Sequence, residues 1–312
     1  MAITASTQRR YGGIHIFWGI FFIAVGFASI ATTRLDIAII LPEVMKGIGV
    51  VSLAAGGLIS TLTVLGTDIA EPFLGRLSEV VSRRLVLALG LGLFALFSLF
   101  TATAANLPST ANLPSMIVVR ILLGVGQGMF IPAYFAFLGG AFSRRRGFVL
   151  GSLAGLFTVG AAINPLTTRA IFSAAGNAWR APFIAYGVFG LVLAALVYLL
   201  GGGGLFEMGR HHAAEATAES EAQATAEGKT GIFSRSMLLL LAVMVCWGLT
   251  QYGYLGLFVT FLRTRQHFTP GAAGVVASVA GWTSFVFSFV GGWLSDHIGR
   301  RKSLLIFGVV GL

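Results

Sequence analysis

Charge is what this sequence has least of. Of its 312 residues, 10% are Asp, Glu, Lys or Arg, where ordinary soluble chains carry about 25%. Acids are scarcest, 11 against 21 lysines and arginines, for a formal net charge of +10. That shortage excludes a soluble globular enzyme and equally the charge-rich, apolar-poor composition of a disordered chain. A lone cysteine, Cys246, excludes an intrachain disulfide framework. There is no G-x-x-x-x-G-K-[ST] run to cradle ATP and no nucleophile elbow. His211 and His212 stand together without a third ligand nearby, which reads as solvated loop rather than a metal centre. The basic residues are too dispersed for nucleic acid. No enzyme, metal or cofactor is expected.

What fills the chain instead is apolar. Hydrophobic residues make up 56%, glycine adds 42 positions, and mean hydropathy is +0.88. A hydrocarbon core of ~30 Å needs about 20 helical residues. Apolar runs of that length begin near Ile14, Val50, Leu85, Leu113, Gly147, Ala181, Met237 and Ala272. They end near Leu41, Phe73, Ala105, Phe142, Ile171, Leu200, Leu262 and Leu294. The first is too long for a signal-peptide h-region. An open sheet cannot satisfy its backbone in lipid, and the runs lack the alternation of barrel strands. The fold class is therefore an all-α membrane protein with eight full spans. A ninth run, Ser303 to Leu312, covers only about 15 Å.

With a cytoplasmic N-terminus, fourteen basic residues fall on the cytoplasmic side, among them Arg144 to Arg146 and Arg300 to Lys302. Five fall outside (Lys46, Arg169, Arg180, Arg263, Arg265), and Arg34 and Arg120 lie within spans. That asymmetry sets the orientation and explains the net charge without a polyanionic partner. Residues 201–236 hold five of the eleven acids and read as a solvated linker.

GRLSEVVSRR (Gly75–Arg84) follows the second span and GWLSDHIGRR (Gly292–Arg301) the eighth, 217 residues apart on the same side. Parallel six-span repeats are a transporter architecture. The pattern G-x-L-S-[DE]-x-x-[GS]-R-R resembles the loop signature of the major facilitator superfamily. So do Arg120-x-x-x-Gly124-x-Gly126-x-Gly128 with Pro132, and the Gly147/Gly151/Gly155 stripe ahead of Asn164-Pro165. Trp179-Arg180 before the sixth span agrees.

The resemblance implies a six-helix N-terminal bundle (1–200), a cytoplasmic linker (201–236) and a partial C-terminal bundle (237–312). It places the protein in the cell membrane. Further C-terminal helices are expected in a full-length protein; a chain ending at Leu312 would leave the cavity open to lipid and would not transport. The implied function is secondary active transport by alternating access, proton-coupled, of a small solute, with an organic anion as candidate. A drug/proton antiporter and a non-transporting fragment are the alternatives. The implied gating loops comprise Gly75, Glu79, Arg83 and Arg84, and Gly292, Asp296, Gly299, Arg300 and Arg301. Glu79 and Ser82 replace the family's aspartate and glycine. Asn164 and Thr168-Arg169 depart from its antiporter motif.

A charge at mid-membrane costs roughly 2.5–3.5 kcal/mol, so each needs a reason. Asp36 lies about 8 Å from the outer end of the first span, if that span ends at Leu41, and Arg120 about 10 Å from the outer end of the fourth. Matching depth predicts an Asp36–Arg120 interaction beside the central cavity. It is read as either a proton switch or a static pair involving Arg34 or Arg120. Asp68 and Glu71 share one face of the second span nearer the cytoplasm, as a proton relay or a hydrogen-bonded cluster. Arg34, Gln127, Tyr134, Gln251, Tyr252 and Tyr254 are the candidates for lining a substrate cavity, with Arg120 favouring an anion. The glycines after Arg120 are expected to clear space beside that cation, and the Gly147 stripe to pack or slide.

Overall fold

The computed structural model describes residues 13–34, 36–77, 81–104, 109–141, 146–200 and 235–310. Among these residues there are only helices and connections. Six come from the first 141 residues. They are α1 (Gly13–Arg34), α2 (Asp36–Ile39), α3 (Leu41–Ile48), α4 (Leu53–Gly75), α5 (Arg83–Thr103) and α6 (Ser109–Ala141), followed by α7 (Arg146–Ala174). Then come α8 (Ala181–Leu200), α9 (Arg235–Thr264), α10 (Pro270–Ile298) and α11 (Arg300–Val310). Six of them, α1, α4, α5, α6, α8 and α10, are long and apolar enough to cross a membrane. At 29 and 30 residues, α7 and α9 reach about 44 Å or more. Glu79 and most of the 201–236 linker, with His211 and His212, lie outside the described residues, as do the side chains of Gln251, Tyr252, Tyr254, Arg300 and Arg301.

The start signals are local. Ser52, Ser82 and Thr269 each accept a hydrogen bond from the backbone N–H three residues on, opening α4, α5 and α10. Pro270 occupies the first turn of α10, where its missing N–H costs nothing. Pro72, Pro114, Pro132 and Pro165 sit inside helices, as neighbouring helices in a membrane allow.

The first span differs from its expected bounds. It does not end at Leu41: after an interruption at Ile40 (φ −121°, ψ 26°) the chain re-enters a helix to Ile48, ended by Gly49 at φ +74°. Leu41, Val44, Met45 and Ile48 are buried. Pro42 in the first turn starts this extra helix, and its apolar face holds it against the bundle.

Packing relies on close backbone approach, since lipid is as apolar as the helices themselves. A Cβ on Gly66 would come 2.6 Å from the Ile121 carbonyl oxygen, and one on Gly128 2.5 Å from that of Thr67. Gly126 meets Phe94 in the same way. Gly124, Gly126 and Gly128 therefore seat α6 against α4 and α5; they do not clear room for Arg120. In α7, Gly151 and Gly155 face Ser288 and Gly292 of α10, and Ser278 donates to the Ala162 carbonyl at 2.6 Å. The stripe is the seam where α10 lies along α7. Two apolar clusters result, one around Phe27, Phe94, Phe130 and Tyr134, the other around Ile40, Val44, Trp179, Phe183 and Leu262. A belt of buried polar residues lies between them.

The loop repeat shows why its copies differ. Gly299 has φ +86° and ψ 151°, a region open essentially to glycine alone. Ser82 at the corresponding place has φ −58° and caps α5 instead. Gly299→Ala is expected to destabilise the protein by about 1–3 kcal/mol, whereas Ser82→Gly loses only a cap, a few tenths of a kcal/mol. Unfolding in mixed micelles compares the two; equal losses would refute the distinction.

Candidate functional site

The polar belt is built from α1, α2, α4, α6, α7 and α8. Arg120 projects from α6 at a point where α6 approaches α2, and its Nη2 donates to Asp36 Oδ1 at 2.6 Å. Both side chains have 0% exposure. The same Asp36 oxygen accepts from the Ile37 backbone N–H at 2.6 Å, and the guanidinium lies over the Phe183 ring at 5.2 Å. The depth match found the contact. The pair is sealed inside the N-terminal helices and does not line an open cavity, so Arg120 has no surface to offer a substrate in this conformation.

The second pair joins Arg34 to Asp68, Nη2 to Oδ1 at 2.7 Å. The sequence reading considered Asp36 as the partner of Arg34; instead the long arginine side chain reaches across to α4. The two partners differ in access: Arg34 is 7% exposed and Asp68 54%. The Arg34 guanidinium lies 5.9 Å from the Phe157 ring centroid. Glu71, one turn beyond Asp68, interacts electrostatically with both Arg34 and Asp68. Pro72 brings no N–H to the Asp68 carbonyl four residues back, so the helix is relaxed at this turn.

Gln127 lies between the pairs. Its Nε2 donates to Thr33 Oγ1 at 3.1 Å, and Thr67 Oγ1 donates to its Oε1 at 3.4 Å. It ties α1, α4 and α6 together and is fully buried. Tyr134 is buried too, stacked on Phe27 with ring centroids 4.0 Å apart, its hydroxyl 3.5 Å from the Leu153 carbonyl. Neither side chain offers open surface to a ligand here.

Two groups of polar residues were not brought together by the sequence, which marked Asn164, Thr168 and Arg169 only as departures from a motif. Glu43 on α3 accepts from Arg263 of α9 through both oxygens, at 3.0 and 3.3 Å, and from Arg169 of α7 at 3.4 Å. One carboxylate thus clamps the end of the first span to the fifth and seventh. In α7 and α8, the Tyr186 hydroxyl is 2.7 Å from Thr168 Oγ1 and 2.8 Å from Thr167 Oγ1, and Thr168 donates to Asn164 Oδ1 at 2.7 Å. A tyrosine in an otherwise apolar span, facing an Asn-Pro span, is the one hint the sequence held. Gly292 packs on Gly151, and Arg84 lies over Tyr198 at 4.5 Å. Asp296 is exposed on α10.

Removing one partner of a sealed pair strands the other charge. Asp36→Leu and Arg120→Leu are each expected to cost about 3–5 kcal/mol, and the two together to recover most of it. Reversible unfolding measures this cycle; additive losses would mean that the two side chains do not depend on each other.

Comparison with known proteins agrees with this architecture. The probable L-galactonate transporter of Escherichia coli is 23% identical over 281 residues, 85% of this chain and 60% of its own length. The triacylglyceride transporter of Mycobacteroides abscessus is 30% identical over 152 residues, 46% of this chain and 28% of its own. The chain therefore spans less than two-thirds of these relatives. The proton:xylose symporter XylE, solved with a bound bromodeoxyglucose, superposes with a TM-score of 0.68 at 16% identity, over 94% of this chain and 71% of that one. The family model of the Major Facilitator Superfamily matches residues 16–312, and the chain belongs to that superfamily.

Proposed function

We propose that the protein carries a small organic anion across the cell membrane together with a proton, by alternating access. Residues 1–200 and 237–312 act as the two moving units, joined by a cytoplasmic linker at 201–236, with the N-terminus in the cytoplasm. The carrying observation is the Arg34–Asp68 pair, in which the cation is buried and its carboxylate partner is half open. A substrate carboxylate can take Asp68's place on Arg34 only if Asp68 is neutralised, and a proton does that. Glu71 is the adjacent acid through which the proton can arrive. Anion and proton then bind at one place and favour each other, which is what symport needs.

The relatives fit that chemistry: galactonate is a sugar carboxylate, and XylE couples a sugar to protons. The Asn164 and Thr168-Arg169 departures speak against drug/proton antiport. Gly151 and Gly155 on α7, against Ser288 and Gly292 on α10, provide a smooth seam on which the units rock. The Glu43 clamp closes the outer side, and the Arg83/Arg84 and Asp296 loops serve the cytoplasmic side.

Calorimetry of galactonate binding in two buffers of different ionisation enthalpy is expected to give uptake of about one proton per anion. Asp68→Asn abolishes that uptake, and Arg34→Gln loses binding. Anion binding without proton uptake, or unaffected by Arg34→Gln, overturns the reading. For the clamp, Glu43→Gln is expected to raise the labelling of a cysteine placed at Ile40, a buried position; unchanged labelling removes the clamp from the gate.

A further inference from the structure

One end of the bundle is unevenly charged. The helix ends and connections opposite the repeated loops carry Lys46, Arg169, Arg180, Arg263 and Arg265 against a single acid, Glu43. Arg180 is committed elsewhere: its Nε donates to the Ala102 carbonyl at 2.9 Å, and its guanidinium lies over Trp179 at 4.5 Å. Lys46 and Arg265 are exposed. Arg169 and Arg263 are the two that converge, and they converge on Glu43.

The two contacts are unequal. Arg263 takes both Glu43 oxygens, Nη2 to Oε1 at 3.0 Å and Nη1 to Oε2 at 3.3 Å, the fork-on-fork match of a guanidinium with a carboxylate. Arg169 reaches Oε1 through one long bond, Nη1 at 3.4 Å, and rests on the Phe172 ring at 4.8 Å. One negative charge thus answers two positive ones, with Lys46 and Arg265 as further cations at the same end. Such an excess raises the local concentration of anions. The side chains of Arg169, Glu43 and Arg263 keep 28%, 23% and 19% exposure, so the ions are open to the medium as the Asp36–Arg120 pair is not.

We propose that Arg169 and Arg263 form a carboxylate-binding site in which Glu43 stands in for the ligand. A solute carboxylate displaces Glu43, forks onto Arg263 and completes the half-made contact with Arg169. Glu43 loses no charge in the exchange; it turns to water, so one solvated carboxylate replaces another. Because Glu43 is tethered, it competes at an effective concentration on the order of millimolar, and the site answers to solute at comparable levels. The ligand class is set by the fork: a planar two-oxygen anion reproduces what Arg263 already holds, and a spherical anion matches only the charge. Binding undoes the tie from α3 to α7 and α9, so a solute arriving at this end loosens the clamp that would bar it. The site is distinct from the Arg34–Asp68 pair, which joins α1 to α4. That the anion passes from the one to the other rests on the symport reading above; the site itself does not.

Saturation-transfer NMR of sodium acetate, on the purified chain in nanodiscs of zwitterionic lipid, tests the site. Sodium chloride holds the ionic strength constant, so saturation by acetate is selection of carboxylate over chloride. The titration is made in Arg34→Gln, which removes the inner anion site of the symport reading. Half-saturation on the order of millimolar is expected. Arg263→Gln and Arg169→Gln are each expected to raise it at least about fivefold. Arg263→Lys is expected to raise it too, since the ammonium keeps the charge and loses the fork. Glu43→Gln, isosteric and uncharged, is expected to lower it at least about fivefold, because the tethered competitor is gone; a clamp without a ligand gains nothing from that change. The same direction for Glu43→Gln is expected with Arg34 intact. Acetamide, of the same shape and neutral, is expected not to saturate. Half-saturation unchanged in both arginine glutamine variants, unchanged or raised in Glu43→Gln, or equal for acetamide and acetate overturns the proposal. Galactonate binding without proton uptake would end the symport reading and leave each of these results as it stands.

Discussion

A charge below the membrane surface must find its opposite, and this constraint fixes the centre of the molecule. Arg34 and Asp36, two residues apart where α1 runs into α2, reach in different directions, one to Asp68 on α4 and the other to Arg120 on α6. Each pair removes much of the penalty that either ion would carry alone in lipid. Together they fix the rotation of the first span about its axis. A turn of that helix by one residue would break both. The Gln127, Thr33 and Thr67 bonds between the pairs set the same register in neutral chemistry.

Glycine is what lets the pairs form. Hydrogen bonds near 2.7 Å between side chains on different helices require the backbones to come close. Gly66, Gly124 and Gly128 allow it between α4 and α6. A methyl group at any of them would push α6 outward and lengthen the contacts of Arg120 and Gln127. The same device on α7 faces α10, where Gly151 and Gly155 admit Ser288 and Gly292 and Ser278 bonds the Ala162 carbonyl.

How much of this the sequence revealed depends on which quantity was countable. Positions along a helix can be counted, so the spans, the repeated loop and the Asp36–Arg120 contact were legible. The Arg34–Asp68 contact was missed because the reach of a long arginine side chain to another helix is not a count along either helix. Pro42 looked like the end of a span and was the start of another turn of helix. Burial cannot be counted along a chain. Asp36 and Asp68 are the same residue type at similar distance from a helix end, yet one side chain is sealed and the other half open. Glu43 and Tyr186 were silent for a related reason: their partners lie more than a hundred positions away or on a neighbouring span, and no periodicity marks them.

The contrast between the two pairs gives them different work. A carboxylate that stays sealed cannot exchange with a solute, since the solute has no route to its partner; it can only gain or lose something as small as a proton. A carboxylate that is half open can be replaced by a group of its own kind. The sealed pair touches one apolar cluster, through Phe183 under Arg120, and the half-open pair the other, through Phe157 beside Arg34. A rocking motion that loosens the clamp would hydrate the sealed pair first and leave the half-open pair closed off. Proton and solute would then meet the protein from the same side in a set order, with the buried acid reporting which side is open. Two pairs of equal exposure could not impose that order, because either could be discharged in either state. On the symport reading proposed above, the asymmetry in access, more than the presence of four charges, is what would couple proton to solute.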